Sequence, residues 1–488
     1  MKIVIYGNCS YPFFYREVIR QAKEEGSALD WHILIYSWRH LPLIEGLLPQ
    51  DHIFYVPDDI GRRMKLPMAS LDILKNYYGS IIRDITADKN IPGQLRRYPK
   101  EHQLHSAVAY YQLYKDYLMR EKPDAVLCTI IESHEGMMLY AAAKELKIQT
   151  IFVTSSRNLA LSFFSETPNE EMPAYTFNEP LDPSLMAKAE DIVHSFQKSV
   201  SKAVQFTYEP RLEDLIEFKK FLPVTKKLMR APRGLWNLYQ DVKREPYSYH
   251  PNPLWFQPFM QFWWLNLKVA TWKAKRRKRF ADITHLDQLP KKFVYFPLHV
   301  YPELTITTMA PFFEDQLRAV DLIRYHIPPD HLLVIKEHPA MLGRRPLSFF
   351  KALTHRAGVY LAAQQLPSVE LIKRSSMTVS ITGTACLEAM LLGKPSLTLE
   401  KTFFSHWVPV FDSFHHFHQE LANELNHSAE EIKKRAIDCV AHTLQIGYDF
   451  MLWDPYNPDV DPKYTMNRRN VKQFIHAFED HLRRSRAN

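Results

Sequence analysis

The stretch Met377-Thr378-Val379-Ser380-Ile381-Thr382-Gly383-Thr384-Ala385-Cys386-Leu387-Glu388-Ala389-Met390-Leu391-Leu392-Gly393-Lys394-Pro395-Ser396-Leu397-Thr398-Leu399 decides the fold. Met377–Thr382 reads as a strand. A small hydroxyl and glycine loop follows, then a helix over Ala385–Leu392 closed by Gly393 as its C-cap. Pro395 then precedes a second strand, Ser396–Leu399. A strand, a helix and a strand in this order make a βαβ unit with parallel strands. Upstream the same alternation holds: strand Phe293–Leu298, helix Phe312–Tyr325, strand His331–Lys336, helix Leu347–Arg356 and short helix Ser368–Arg374.

The amino-terminal part repeats the architecture without repeating the sequence. Ile3–Tyr6, Asp30–Ser37, His52–Val56, Asp124–Ile131 and Gln149–Thr154 read as strands, with helical spacing over Tyr11–Lys23 and Gly136–Leu146. The expected organisation is α/β, two Rossmann-like domains facing a cleft with a helical, aromatic/basic insertion between them. Residues 1–180 form the first domain, with a helical insertion at about 65–120. Residues 181–290 form the mainly helical linker, 291–445 the second domain and 446–488 a helical tail. Ligands of such sheets bind at the carboxyl ends of the strands, so the chemistry is sought there.

Composition narrows the field only broadly. Of 488 residues, 46% are hydrophobic and 24% charged, an ordinary globular balance that excludes disorder or a coiled coil for the whole. The net charge of +8 permits anionic partners and selects none. Cys9, Cys128, Cys386 and Cys439 are far apart in sequence, which gives no zinc or redox motif and reads as buried reduced thiols of a cytoplasmic protein. Met1–Asn8 has too short an apolar run for a signal peptide, and no uncharged apolar stretch reaches the ~18 residues of a membrane span.

The loop Thr382-Gly383-Thr384 is the strongest chemical signal. Gly383 admits close backbone approach, the threonines add hydroxyls, and the following helix start supplies free N–H groups and a positive dipole end, a phosphate-binding design. Glu388, one turn on, could hold ribose hydroxyls; a capped helix with a packing glycine would look the same. Lys336-Glu337-His338-Pro339 ends another strand, which places His338 where it can donate to a phosphate oxygen. His299 and Glu303, set between Pro297 and Pro302 and just beyond, fall in the interdomain loop. In the first domain Glu132, His134 and Glu135 follow a strand and open a helix; a carboxylate there could act as base, acid or nucleophile, or merely cap the helix. Asp58-Asp59 is a rival pair that reads as a turn, and Arg157 closes a further strand, placed to bind an anion. Gly7-Asn8-Cys9-Ser10 is no dinucleotide fingerprint, and no pattern supports a metal or a cofactor.

Residues 254–279 pair an aromatic run, including Trp263 and Trp264, with a basic block, Lys273, Lys275, Arg276, Arg277, Lys278 and Arg279. Such a pair suits an anionic membrane face or an anionic acceptor; an aromatic packing helix with a solvated end is the plainer reading. No nucleic-acid module is present.

Phe296-Pro297-Leu298-His299 with Pro302-Glu303, then Lys336-Glu337-His338-Pro339, then Thr382-Gly383-Thr384 with Glu388-Ala389 and Gly393-Lys394-Pro395 occur in that order. This ordered set resembles the bacterial capsule polysaccharide biosynthesis family, which includes the Kdo transferases of capsule assembly. The resemblance covers about 290–400 well and the rest in architecture. It implies a GT-B type glycosyltransferase that moves an acidic sugar, Kdo or a related nonulosonic acid, from a CMP-sugar to a glycan or glycolipid acceptor. No metal or cofactor is implied, and the setting is cytoplasmic, peripheral on the inner membrane. His338 would meet the CMP phosphate, and the Gly383-Thr384 loop would take the same nucleotide. The residues themselves add Lys336, Glu337, Pro339, His299, Glu303, Thr382, Glu388 and Arg157 around the nucleotide sugar, and Glu132 or Glu135 opposite. A transferase of UDP- or GDP-sugars, and a non-catalytic glycolipid-binding assembly protein, are the two rival expectations.

Overall fold

The computed structural model describes residues 1–8, 11–70, 72, 100–129, 131, 134–157, 159–198, 236, 239–240, 243–244, 282–301, 303–341, 345–452 and 467–487. The first domain holds strands β1 (Lys2–Gly7), β2 (Asp30–Ile35), β3 (Ile53–Tyr55), β4 (Ala125–Thr129), β5 (Gln149–Ser155) and β6 (Ser162–Ser165). They form one sheet in the order β3-β2-β1-β4-β5-β6, parallel except for β6, which runs against β5. The second domain holds β7 (Asp282–Ile283), β8 (Phe293–Pro297), β9 (Leu332–Lys336), β10 (Val359–Ala362), β11 (Met377–Ser380) and β12 (Ser396–Thr398). Its order is β12-β11-β8-β9-β10-β7, all parallel. These are two Rossmann-like sheets.

Parallel strands covered on both faces read as continuous apolar runs, because alternate side chains enter two different cores. On β1, Ile3 and Ile5 pack with Trp31 and Ile33, while Val4 and Tyr6 pack on the other face with Leu34 and Val126. On β8, Val294 and Phe296 enter one core and Phe293 and Tyr295 the other.

Helices follow local signals. In the first domain lie α1 (Tyr11–Glu24), α2 (Val56–Arg63), α3 (Lys100–Glu121), α4 (His134–Glu145) and α5 (Pro183–Lys198). The expected strand 52–56 stops at Tyr55 because Pro57 suits the first turn of a helix. Asp58 and Asp59 therefore sit in the first turn of α2, where carboxylates complement the dipole, and not in a reverse turn. Residues 100–121, expected within an insertion, form α3. Its Val108, Tyr111, Tyr114 and Leu118 enter the core beside Val126 and Met138, so this helix is a layer of the domain.

The second domain adds α6 (Gln316–His326), α7 (Leu347–Thr354), α8 (Ser368–Arg374), α9 (Thr384–Leu391), α10 (Phe417–Asn426), α11 (Ala429–Ile446) and α12 (Arg468–Ala487). The helix expected from Phe312 starts at Gln316, because the Asp315 carboxylate accepts the Leu317 N–H (3.1 Å) as its N-cap. Gly393 closes α9 at φ +70. Its N–H reaches the Met390 carbonyl (2.9 Å) and that of Lys394 the Ala389 carbonyl (2.8 Å), the Schellman pair. Gly393→Ala is expected to cost about 1–2 kcal/mol, since only glycine takes this backbone without strain; urea unfolding measures it.

Two helices cross between the domains. From the first half of the chain, α5 packs Ala189 and Val193 against Leu387, Met390, Ala436 and Val440 of α9 and α11. From the carboxyl end, α12 packs Phe474 and Phe478 against Phe14, Phe164 and Trp31 of the first domain. Among the described residues no helix is long and apolar enough to cross a membrane. Cys128, Cys386 and Cys439 are buried free thiols.

Candidate functional site

Both sheets reverse their strand order at one point. In the first the reversal lies between β1 and β4, in the second between β8 and β11. A crevice opens outside the carboxyl ends at such a point, because the flanking crossovers leave on opposite faces. His299 follows β8, and Ser380 ends β11 with Ile381 to Thr384 after it, so these segments flank the second crevice.

One network joins them. His299 Nε2 and Ser380 Oγ are 3.0 Å apart, and the same Ser380 Oγ accepts the Gly383 N–H at 2.8 Å. A Cβ on Gly383 would stand 2.3 Å from that Oγ and 3.3 Å from the His299 ring, so glycine is required for the loop to close on the histidine. The main chain of His299 is clamped by Gln316, which accepts its N–H (2.9 Å) and donates to its carbonyl (3.2 Å). That carbonyl also accepts from Arg345. Arg345, 9% exposed, pairs through Nε with Glu337, 2% exposed, at 2.7 Å. The other Glu337 oxygen accepts the His338 N–H at 2.8 Å. Lys336 Nζ donates to Ser368 Oγ (2.9 Å), and Thr382 Oγ1 donates to the Thr305 carbonyl (3.0 Å). Pro339 opens a short 3-10 turn, Thr384 is the first residue of α9 and Glu388 lies on it, part-buried.

Burial lowers the His299 pKa to about 3, helped by His338, Arg345 and Arg157. Burial likewise lowers that of His338 to about 4, with Lys336 and Arg345 adding to it. Both rings are thus neutral near pH 7, and the unfolded chain, with histidines near 6.5, binds more protons below that pH. Stability from these two rings is complete above about pH 6.5 and is lost as pH falls through the window from 6.5 toward 4. Urea midpoints at pH 7.5 and 4.5 are expected to show this loss, and His299→Gln to reduce it.

The first domain supplies the opposite wall. Thr129, the last residue of β4, has φ 59, an outlier for a β-branched residue, at the register shift between Leu127 and Thr129. Its Oγ1 meets the buried Tyr15 hydroxyl. Beyond it, Glu135 lies in the first turn of α4 at 6% exposure, with His134 Nδ1 3.9 Å from its carboxylate and Ser106 Oγ 3.4 Å from His134 Nε2. A tyrosine group lies beneath: Tyr36 and Tyr114 hydroxyls are 2.7 Å apart, and Tyr6 accepts from Asn8 Nδ2 at 2.8 Å. Burial pushes the Tyr36 and Tyr114 hydroxyls well above their usual range. After β5, Arg157 at φ 60 pairs with Glu170. Both act electrostatically on Glu303, whose Oε2 accepts from Thr305 Oγ1 at 2.9 Å. The Arg157 charge also acts on His299 of the second domain.

His299, Glu303, Lys336, Glu337, His338, Thr382, Gly383 and Arg157 are thereby gathered into one region. Several are engaged with the protein itself: Glu337 by Arg345 and the His338 N–H, Lys336 by Ser368, and Arg157 by Glu170. Glu132, Trp263, Trp264, Lys273, Lys275, Arg276, Arg277, Lys278 and Arg279 lie outside the described residues. Sequence reading missed Arg345, Gln316, Ser380 and Glu170. Of these, Ser380 alone carried a signal, as the polar residue ending an apolar strand three before Gly383.

Residues 247–451 match the family described as "Capsule polysaccharide biosynthesis protein". Protein FixF of Sinorhizobium fredii (strain NBRC 101917 / NGR234) is 28% identical over 139 residues, which are 27% of this chain and 31% of that protein; the match thus spans about a third of the relative. Among solved structures, the chain is similar to UDP-GlcNAc 2-epimerase from Neisseria meningitidis bound to UDP-GlcNAc, at 14% identity over 98% of this chain and 100% of that one, TM-score 0.22. It is also similar to the β-Kdo 2,7 transferase KpsC of Thermosulfurimonas dismutans, at 12% identity over 90% and 99%, TM-score 0.30. The matched segment 247–451 contains the whole ordered motif set from Phe296 to Pro395, and it is this part of the chain that is similar to the capsule polysaccharide biosynthesis family.

Proposed function

We propose that the protein is a glycosyltransferase of capsule-type polysaccharide or glycolipid synthesis, and that its donor is a CMP-activated acidic sugar. The observation that carries this reading is the network from His338 through Glu337, Arg345 and His299 to Ser380 and Gly383 at the reversal point of the second sheet. It holds a neutral histidine, a glycine loop and the start of α9 together, which suits a phosphate. His338 and Thr384 then stabilise the departing CMP phosphate, an electrostatic role that grows as the bond to the anomeric carbon breaks. Glu135 or Glu132, in the first domain, then takes the acceptor hydroxyl proton or acts at the anomeric carbon. Glu337, Lys336 and His299 act by positioning.

Thermal stabilisation by CMP, CDP, UDP, GDP and ADP tests the donor class, since a ligand of the folded state alone raises its stability. A selective shift with CMP supports the reading. A selective shift with UDP or GDP replaces the donor, and no shift moves a glycan-binding protein ahead. For the acceptor side, neutralising the basic residues from Lys273 to Arg279 is expected to weaken sedimentation with anionic liposomes, most at low salt; unchanged sedimentation would remove the membrane from the proposal.

A further inference from the structure

We propose that Asp30, His32 and His52 form a binding site for a divalent transition metal of the Zn²⁺ class, at the amino end of the first sheet. Asp30 opens β2, and His32 stands two residues on, so both project from the same face. The pairing of Ile33 with Ile53 sets His52 beside His32. The two imidazoles stack at 4.0 Å with 13° between their planes. His32 Nε2 is 3.4 Å from Asp30 Oδ2, and His52 Nδ1 is 3.4 Å from Asp30 Oδ1. One ligating atom from each of the three residues lies within 4.8 Å of the others.

These separations have a meaning in coordination chemistry. With metal bonds of about 2.0–2.1 Å, tetrahedral ligand atoms stand about 3.3 Å apart. The carboxylate and each imidazole are already at that spacing. The other His32 nitrogen, Nδ1, is buried and has no hydrogen-bond partner among the described residues, so Nε2 is the nitrogen that faces the carboxylate. No lysine or arginine among the described residues is within ion-pair distance of Asp30, whose ion-pair partners are the two histidines; the Lys2 charge also acts on His32. Its side chain is 45% exposed, which leaves an entry path. Two imidazoles and one carboxylate select Zn²⁺ and its neighbours over Ca²⁺ or Mg²⁺. His52 Nδ1 also lies 3.1 Å from the Trp31 carbonyl, and metal binding would release any proton it shares there. The site is at the opposite end of the strands from the cleft, so its role is to tie the connection between β2 and β3 to the sheet.

The test uses the full chain without an affinity tag, stripped with chelator and titrated with Co²⁺ and then Zn²⁺. Saturable visible absorption of tetrahedral intensity, bleached by Zn²⁺ and accompanied by a higher Tm, is the expected result. Asp30→Asn and His52→Ala, both at part-exposed side chains, are each expected to weaken Zn²⁺ binding by about tenfold or more while leaving the far-ultraviolet spectrum unchanged. Absence of saturable Co²⁺ binding to the wild-type chain, or unchanged affinity in both folded variants, would overturn the assignment. A failure of nucleotide binding would leave this result untouched, since the two sites share no residue.

Discussion

Arg345→Met is expected to destabilise the protein by about 3–5 kcal/mol, because it leaves the Glu337 carboxylate buried without its cation. The pair lies at 2.7 Å with both side chains almost wholly inaccessible. The loss is not the worth of the ion pair itself, which desolvation largely offsets; it is the cost of one uncompensated charge. Arg345→Met combined with Glu337→Leu is therefore expected to recover most of it. Urea midpoints for the two single variants and the double variant close the cycle. If the double variant is no more stable than Arg345→Met, burial of the Glu337 charge is not the cause. The guanidinium also holds the His299 carbonyl, so nucleotide-induced stabilisation is expected to fall with either variant.

His338→Ala is expected to reduce transfer by about 10²–10³-fold, the range seen when one preorganised donor to a developing anion is removed. The effect belongs in kcat, because the donor matters most when charge gathers on the departing phosphate. The ring is half-buried and neutral in the free protein, and a bound phosphate would raise its pKa. CMP binding is thus expected to take up a proton near pH 6, seen as a buffer-dependent heat in calorimetry and absent in His338→Ala. Full activity in that variant would remove the histidine from the mechanism.

Much of this was legible in the sequence because parallel strands buried on two faces are written as unbroken apolar runs, and because prolines punctuate their ends. Pro297, Pro339 and Pro395 frame the second sheet; His338 stands next to Pro339 and His299 two residues after Pro297. The strands that escaped notice are short or marginal. β10 has four residues with Tyr360 exposed, β7 has two, and β6 is Ser-Phe-Phe-Ser, an edge strand flanked by polar residues. Arg345 escaped for a different reason. It lies nine residues beyond the end of β9, and its significance arises only from Glu337 and His299, which the fold brings to it. Pairwise geometry of this kind has no local signature. The Glu170 partner of Arg157 is a second case.

The reciprocal crossing of α5 and α12 bears on how the molecule can be divided. A cut at the apparent domain junction would strip the second domain of Ala189 and Val193, and the first of Phe474 and Phe478. Each half would present a greasy scar where its borrowed helix had been. The separately produced halves should clump, yet regain solubility when made together in one cell. A ring-permuted chain that keeps both loans intact should tolerate a break that a simple bisection does not.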